Sequence, residues 1–145
     1  MNKDYKTLLN TAKSKVNASI KLVEDSLDGL ILYDFNKKYT SKELEPYDAL
    51  SDRFIRAVET CIKFFKTLEL YQFAISSETY RDLLLKMEKQ NIITSVEKWI
   101  DMRDIRNRIV HDYLQEQIKD IFDLIMTDFS KELFKVKKEI NELDV

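Results

Sequence analysis

Apolar residues recur every three or four positions along most of the chain, which is the spacing that one face of an α-helix requires. From Asp4 to about Leu32 the apolar positions are Tyr5, Leu8, Leu9, Ala12, Val16, Ile20, Val23, Leu27 and Leu30. This stripe predicts a first helix of about 40 Å, at ~1.5 Å per residue. The polar stretch from Asp34 to Lys42 breaks the period and predicts a loop.

A second helix is predicted to begin near Pro46, because proline suits the first position of a helix. Its apolar positions are Tyr47, Leu50, Phe54, Val58, Cys61, Phe65 and Leu68. Cys61 falls on this apolar side, so a buried and unreactive thiol is expected rather than a nucleophile.

Capping residues predict two further helices. Ser76 and Ser77 are favourable N-caps for a short third helix, which should stop near Asn91, because asparagine tolerates the left-handed conformation that ends helices. Thr94 and Glu97 have the spacing of a capping box and predict the start of a fourth helix. The inward residues of this helix are expected to be Val96, Trp99, Ile100, Ile105 and Ile109.

The last helix is predicted to run from about Gln115 to Leu143. Its apolar positions are Ile118, Ile121, Phe122, Ile125, Phe129, Leu133, Val136 and Ile140. The charged end, KVKKEINEL, is expected to project beyond the other helices. The whole pattern predicts an all-α protein, an antiparallel bundle of four or five helices in one domain that covers residues 1–145.

Composition agrees with this architecture and narrows the classes of function. One Gly and one Pro are too few for a fold with many turns, and a net charge of −2 excludes a broad basic surface for nucleic acid. A single cysteine excludes an intrachain disulfide and suits a reducing compartment. The chain shows neither an apolar run of membrane-spanning length nor the apolar core of a signal peptide, so a soluble cytoplasmic protein is expected.

The candidate chemistry lies in the segment RDIRNRIVHDY, which runs from Arg103 to Tyr113 and contains the only histidine. His111 is the one side chain whose ordinary pKa lets it exchange protons near neutral pH, and arginine matches the geometry of phosphate. A proton-transfer group beside an anion clamp, here Arg106 with Arg103 and Arg108 nearby, is what metal-free phosphodiester chemistry needs. No cluster of His and Cys is present, so a transition-metal site is not expected.

Helical geometry limits how this segment can act. Residues five apart on a straight helix point about 140° away from each other, so Arg106 and His111 do not meet on one continuous helix. Asn107 and Arg108, four and three residues before His111, share its face. Either the helix ends near Val110 and His111 swings back, or the two groups meet across a dimer axis. A plainer interpretation is a histidine that caps the helix dipole beside ordinary surface arginines.

The string RNRIVHDY resembles the signature of the HEPN superfamily, an arginine followed four to six residues later by a histidine. It resembles in particular the Arg-x4-His-x-Tyr form of the HepT toxins, with Arg106, His111 and Tyr113 at the matching positions. The segments 51–64 (SDRFIRAVETCIKF) and 79–93 (TYRDLLLKMEKQNII) are also similar to HepT-like proteins. The resemblance covers about residues 47–125. It departs from the family pattern in lacking a proline before the third helix and in having Asn91 where glycine is common.

This resemblance implies a homodimer that acts as a metal-independent endoribonuclease without a cofactor. In such a site His111 would serve as general acid and base, Arg106 would stabilise charge on the phosphate, and Asn107 would orient either group. Arg103 and Arg108 would support the binding of RNA. The resemblance also implies a partner, an MntA-like nucleotidyltransferase antitoxin that silences the toxin by adding AMP to Tyr113.

Two alternatives belong to other classes of function. HEPN-like proteins related to nucleotidyltransferase substrate-binding subunits share these helices, and such a chain would bind a substrate or nucleotide without catalysing a reaction. The presence of both Arg106 and His111 favours the nuclease over this alternative. A helical adaptor without any ligand would be favoured if His111 were buried.

Overall fold

The structure, a computed structural model, describes residues 2–112 and 114–144, and this part of the chain contains helices and no strand. The helices are α1 (Asn2–Leu27), α2 (Ser41–Phe73), α3 (Tyr80–Lys89), α4 (Val96–His111), α5 (Gln115–Leu124) and α6 (Ser130–Asn141). A π-helical turn, Ile125–Phe129, joins α5 to α6, so these two form one interrupted helix. The prediction of an all-α bundle with four or five helices is therefore confirmed. No helix in the described part is long and apolar enough to cross a membrane.

The apolar stripes of the helices meet in a shared core. Its largest fully buried side chains include Trp99, Phe54, Phe64 and Phe65. Phe65 packs edge-on against Trp99 with ring centroids 5.1 Å apart, which ties α2 to α4. Cys61 is fully buried in the same core, which confirms the predicted burial, and this burial raises the pKa of its thiol.

The connection between α1 and α2 differs from the prediction at both ends. α1 ends at Leu27, and Gly29 follows it with a φ of 75°, a left-handed conformation that suits glycine. α2 begins at Ser41 rather than near Pro46, because Thr40 and Glu43 form a capping box in which each side chain accepts the other's backbone N–H. Pro46 lies inside the helix.

The capping residues of α3 and α4 also differ from the predicted ones. Thr79, not Ser76 or Ser77, caps α3, and Ser95, not Thr94, caps α4. Two of the three predicted caps, Ser77 and Thr94, are instead bound by buried carboxylates on other helices. Asn91 has a φ of 60°, which confirms the predicted left-handed end after α3.

The charged C-terminal helix α6 packs on the bundle, so the predicted projection is wrong. Val136 and Ile140 are fully buried. Asn141 exchanges side-chain hydrogen bonds with Asn17 of α1, and one turn earlier Lys137 pairs with Glu24 at 3.2 Å. The lysines of this segment occupy the outer face, so its high charge did not prevent the apolar stripe from reaching the core.

Candidate functional site

Helix α4 carries the candidate residues on the part that extends beyond the core. Trp99, Met102 and Ile105 are buried, whereas Ile109 is 37% exposed and Val110 is 61% exposed. Ile109 comes four residues after Ile105 and lies on the same side of the helix, so it is exposed because α4 extends past the packed core at this end. The prediction that Ile109 points inward is therefore wrong. The last turn and a half of α4 has an exposed surface that is partly apolar.

Arg106 and His111 are both exposed, and within the described residues neither makes a hydrogen bond or an ion pair. α4 is helical through both positions, with His111 as its last residue. Their side chains therefore point about 140° apart, as on any straight helix. α4 thus ends one residue beyond the predicted end near Val110, and the predicted swing of His111 back toward Arg106 is not observed in this chain. The arrangement across a dimer axis stays a prediction.

The three supporting residues have partners in the same chain. Asn107 donates to Asp104 at 3.1 Å, and the guanidinium of Arg103 lies 4.4 Å from the ring centroid of Tyr80. Arg108 donates to Asp120 at 2.7 Å and to Asp112 at 3.4 Å. The hydrogen bond with Asp120 raises the pKa of Arg108 above its ordinary value. The two carboxylates therefore offset much of the positive charge of Arg108, whereas the contact of Arg103 with a neutral ring leaves its charge in place.

The structure brings together some of the predicted site residues and separates others. Arg103, Arg106 and Asn107 line a shallow cleft of about 360 Å³ that also contains acidic side chains. Arg108 lies in a different cleft of about 350 Å³, and neither cleft includes His111. Tyr113, the predicted site of modification, lies outside the described residues. Among the described residues no group of three or more His, Cys, Asp or Glu is placed to hold a metal ion.

A larger cleft of about 540 Å³ lies on the other side of the end of α4, where it meets α2, α5 and the loop between α1 and α2. We call it the α4 cleft. Its lining residues are Tyr33, Tyr39, Leu44, Asp48, Ser51, Asp52, Ile55, Ile109, Asp112, Gln115, Ile118, Ile121 and Phe122. This volume is within the range of about 300 to 1,000 Å³ that is usual for small-molecule sites.

Aromatic rings form one wall of the α4 cleft. Tyr33 stacks on Tyr39 with centroids 4.6 Å apart and lies 5.2 Å from Phe122. Tyr47 packs edge-on behind them, and its hydroxyl donates to the carbonyl of Ile31 at 2.5 Å. Burial raises the pKa of Tyr47 to about 12, so its phenol is neutral near pH 7. These contacts hold the loop of residues 28–40 against α2 and α5.

The charged residues that line the α4 cleft are all acidic: Asp48, Asp52 and Asp112. Asp52 pairs with Arg56 at 2.9 Å, which offsets part of its charge, although the pair adds little stability because both side chains are more than half exposed. Asp112 caps the C-terminus of α4 and is held by Arg108 at 3.4 Å. Sequence reasoning missed this site. Asp48 and Asp52 stand one turn apart beside Tyr47, but acidic pairs of this kind are common on helix surfaces.

The chain matches a known protein family. Residues 8–142 match the family described as nucleotidyltransferase substrate binding protein like. The match covers most of the chain, which therefore belongs to this family, an all-helical family of the HEPN type. No curated protein and no solved structure matches the chain.

Proposed function

We propose that the chain is a non-catalytic, substrate-binding subunit that works with a separate small nucleotidyltransferase. The observation that carries this proposal is the α4 cleft, which is large enough for a small molecule and lies beside the exposed end of α4. In this proposal the nucleotidyltransferase binds the nucleotide and catalyses the transfer, while this chain binds the molecule that accepts the nucleotidyl group. Nucleoside triphosphates are abundant in the cytoplasm, so the proposal places the complex there.

The geometry of the motif supports a binding role over catalysis by one chain. The proton-transfer group His111 and the anion-binding group Arg106 diverge by about 140° on one helix. Arg108 is held by Asp112 and Asp120, which opposes its use as a phosphate clamp. A single copy therefore presents no pair of groups that would act together on one phosphate.

The partner's contact surface in this proposal is the apolar end of α4. Val110 in α4 and Leu114, which precedes α5, are each 61% exposed. Ile109, next to Val110, lines the α4 cleft. Exposed apolar side chains next to a cleft are typical of an interface. A nucleotidyltransferase bound here would have its active site close to a molecule in the cleft.

We expect a small nucleotidyltransferase to be encoded beside the gene for this chain and to form a complex with the chain, measured by size-exclusion chromatography and calorimetry. Val110→Asp should weaken the complex by about tenfold or more, because a buried charge without a partner costs more than ~1.4 kcal/mol. The matched control is Leu8→Asp, since Leu8 is 56% exposed on α1 at the opposite end of the α1–α2 hairpin. Two proteins that stay separate at micromolar concentration, or equal weakening by both variants, would contradict the proposal.

A metal-independent endoribonuclease of the HepT type is the second candidate. It is favoured by Arg106 and His111, which are both exposed and have no partner within the described residues. In this case a homodimer places His111 of one copy near Arg106 of the other. His111 acts on the 2′-hydroxyl or the leaving oxygen, Arg106 stabilises the phosphate, and an MntA-like antitoxin adds AMP to Tyr113.

RNA cleavage in the presence of a chelator separates the two candidates. For a binding subunit we expect the purified chain to cleave RNA no faster than its His111→Ala variant. Cleavage that is lost in both His111→Ala and Arg106→Lys, but retained in Arg108→Lys, would establish the nuclease instead, because a point charge does not replace a bidentate guanidinium. The measurement is the rate of loss of a labelled single-stranded RNA at matched protein concentration.

A further inference from the structure

We infer that the α4 cleft binds an organic cation, a molecule with an apolar or aromatic body and a protonated amine. The inference deepens the proposed function, on which it rests for the role of this molecule as the acceptor of the nucleotidyl group. The binding itself follows from the cleft alone. Three features carry it: the sign of the charge, the aromatic wall and the apolar floor.

The charges of the cleft select a cation. Asp48 has no ion pair within the described residues, and no lysine or arginine is among the residues that line the cleft. Four positive side chains around the cleft are in ion pairs, and two of them, Arg56 and Arg108, pair with the cleft's own Asp52 and Asp112. These pairs are Arg56 with Asp52, Arg108 with Asp112 and Asp120, Lys37 with Glu43, and Lys119 with Asp123. A cation in the cleft therefore finds carboxylates that local pairing leaves partly or wholly uncompensated.

Asp112 is the most shielded of the three carboxylates, because only 20% of its side chain is exposed. Its contact with Arg108 is long, at 3.4 Å, and Arg108 makes its shorter contact of 2.7 Å with Asp120. A carboxylate that is removed from water but weakly paired gains more from a second cation than a fully exposed one does. The same charge repels the triphosphate of a nucleotide, so the cleft suits an acceptor rather than the nucleotide.

The walls of the cleft suit the body of such a molecule. The aromatic wall offers an apolar surface rather than a free ring face, because Tyr39 stacks on Tyr33 and has the ammonium of Lys37 4.8 Å from its ring centroid. The remaining lining is largely aliphatic: Leu44, Ile55, Ile109, Ile118 and Ile121.

The test compares three probes of similar size that differ in charge: 2-phenylethylamine, 2-phenylethanol and phenylacetate. Binding to the purified chain is followed by NMR shifts and calorimetry, up to millimolar concentration. We expect the amine to bind about tenfold more tightly than the alcohol, since one partly shielded ion pair supplies that factor, and the anion to bind more weakly than the alcohol. Equal affinities for amine and alcohol, or no binding of the amine at millimolar concentration, would overturn the inference.

Substitutions of the acidic residues that line the α4 cleft test whether the amine binds there. Asp48→Asn together with Asp112→Asn should lower the affinity for the amine by about tenfold and leave that for the alcohol unchanged, because only the charge is removed. Asp25→Asn is the matched control, as Asp25 is an exposed carboxylate on α1 outside the cleft. An unchanged affinity in the double variant would overturn the inference. These measurements need no partner, so a failure to bind the nucleotidyltransferase leaves this result standing, and a failure to bind the amine leaves the complex standing.

Discussion

Replacing Glu132 by alanine is expected to lower the free energy of unfolding by about 3 kcal/mol, because it leaves buried donors without an acceptor. Glu132 is only 3% exposed, and its carboxylate accepts three hydrogen bonds. The donors are the Trp99 indole at 2.9 Å, the Thr94 backbone N–H at 2.8 Å and the Thr94 hydroxyl at 2.6 Å. This side chain thus joins α6 to the start of α4, the helix that carries the candidate site.

Urea unfolding followed by circular dichroism measures this change, and Glu132→Gln adds a graded comparison. Glutamine retains one acceptor oxygen, so we expect about half of the loss of the alanine variant. The matched control is Glu45→Ala, since Glu45 is exposed on α2 and should change stability by less than about 0.5 kcal/mol. If Glu132→Ala were as stable as Glu45→Ala, the carboxylate would not tie the two helices together.

Replacing Phe122 by alanine is expected to have a second large effect, a loss of about 3 kcal/mol together with release of the loop of residues 28–40. Phe122 is 7% exposed and packs against Tyr33 at 5.2 Å and Tyr47 at 5.3 Å. Its ring is the contact of α5 with the aromatic wall that holds this loop. Removal leaves a cavity behind the wall and widens the α4 cleft.

Denaturant unfolding gives the stability change of Phe122→Ala, and amide hydrogen exchange reports on the loop. We expect faster exchange in residues 28–40 and little change in the middle of α2, because the main core does not depend on this ring. Phe35→Ala is the control with the same chemical change, since Phe35 is 41% exposed in the same loop. Equal effects of the two substitutions on exchange would show that Phe122 does not anchor the loop.

The sequence alone determined the class of fold. Apolar residues at helical spacing, with one glycine and one proline, allow few structures other than long helices, and the periodic stripes identified most of the core, including Cys61 and Trp99. Local chemistry also placed the left-handed end at Asn91. These features depend on residues that are close together in the chain, so the local sequence pattern predicts them correctly.

Only the tertiary structure decided which caps were used and which acidic residues share a cleft. Ser77 and Thr94 are good capping residues, but Glu69 and Glu132 bind them from other helices, and the caps moved to Thr79 and Ser95. Such competition involves residues far apart in sequence, which no local pattern encodes.

The candidate site also has one part that the sequence revealed and another that only the structure revealed. The segment with Arg106 and His111 was visible in the sequence, because rare residue types stand close together in it. The α4 cleft was not visible, since Asp48 and Asp112 are separated by most of α2, α3 and α4 and meet only when these helices pack. Sequence determines the helices and their apolar faces. The packing of those faces determines which polar side chains meet, because a helix fixes the direction of its own side chains but not the identity of its neighbours.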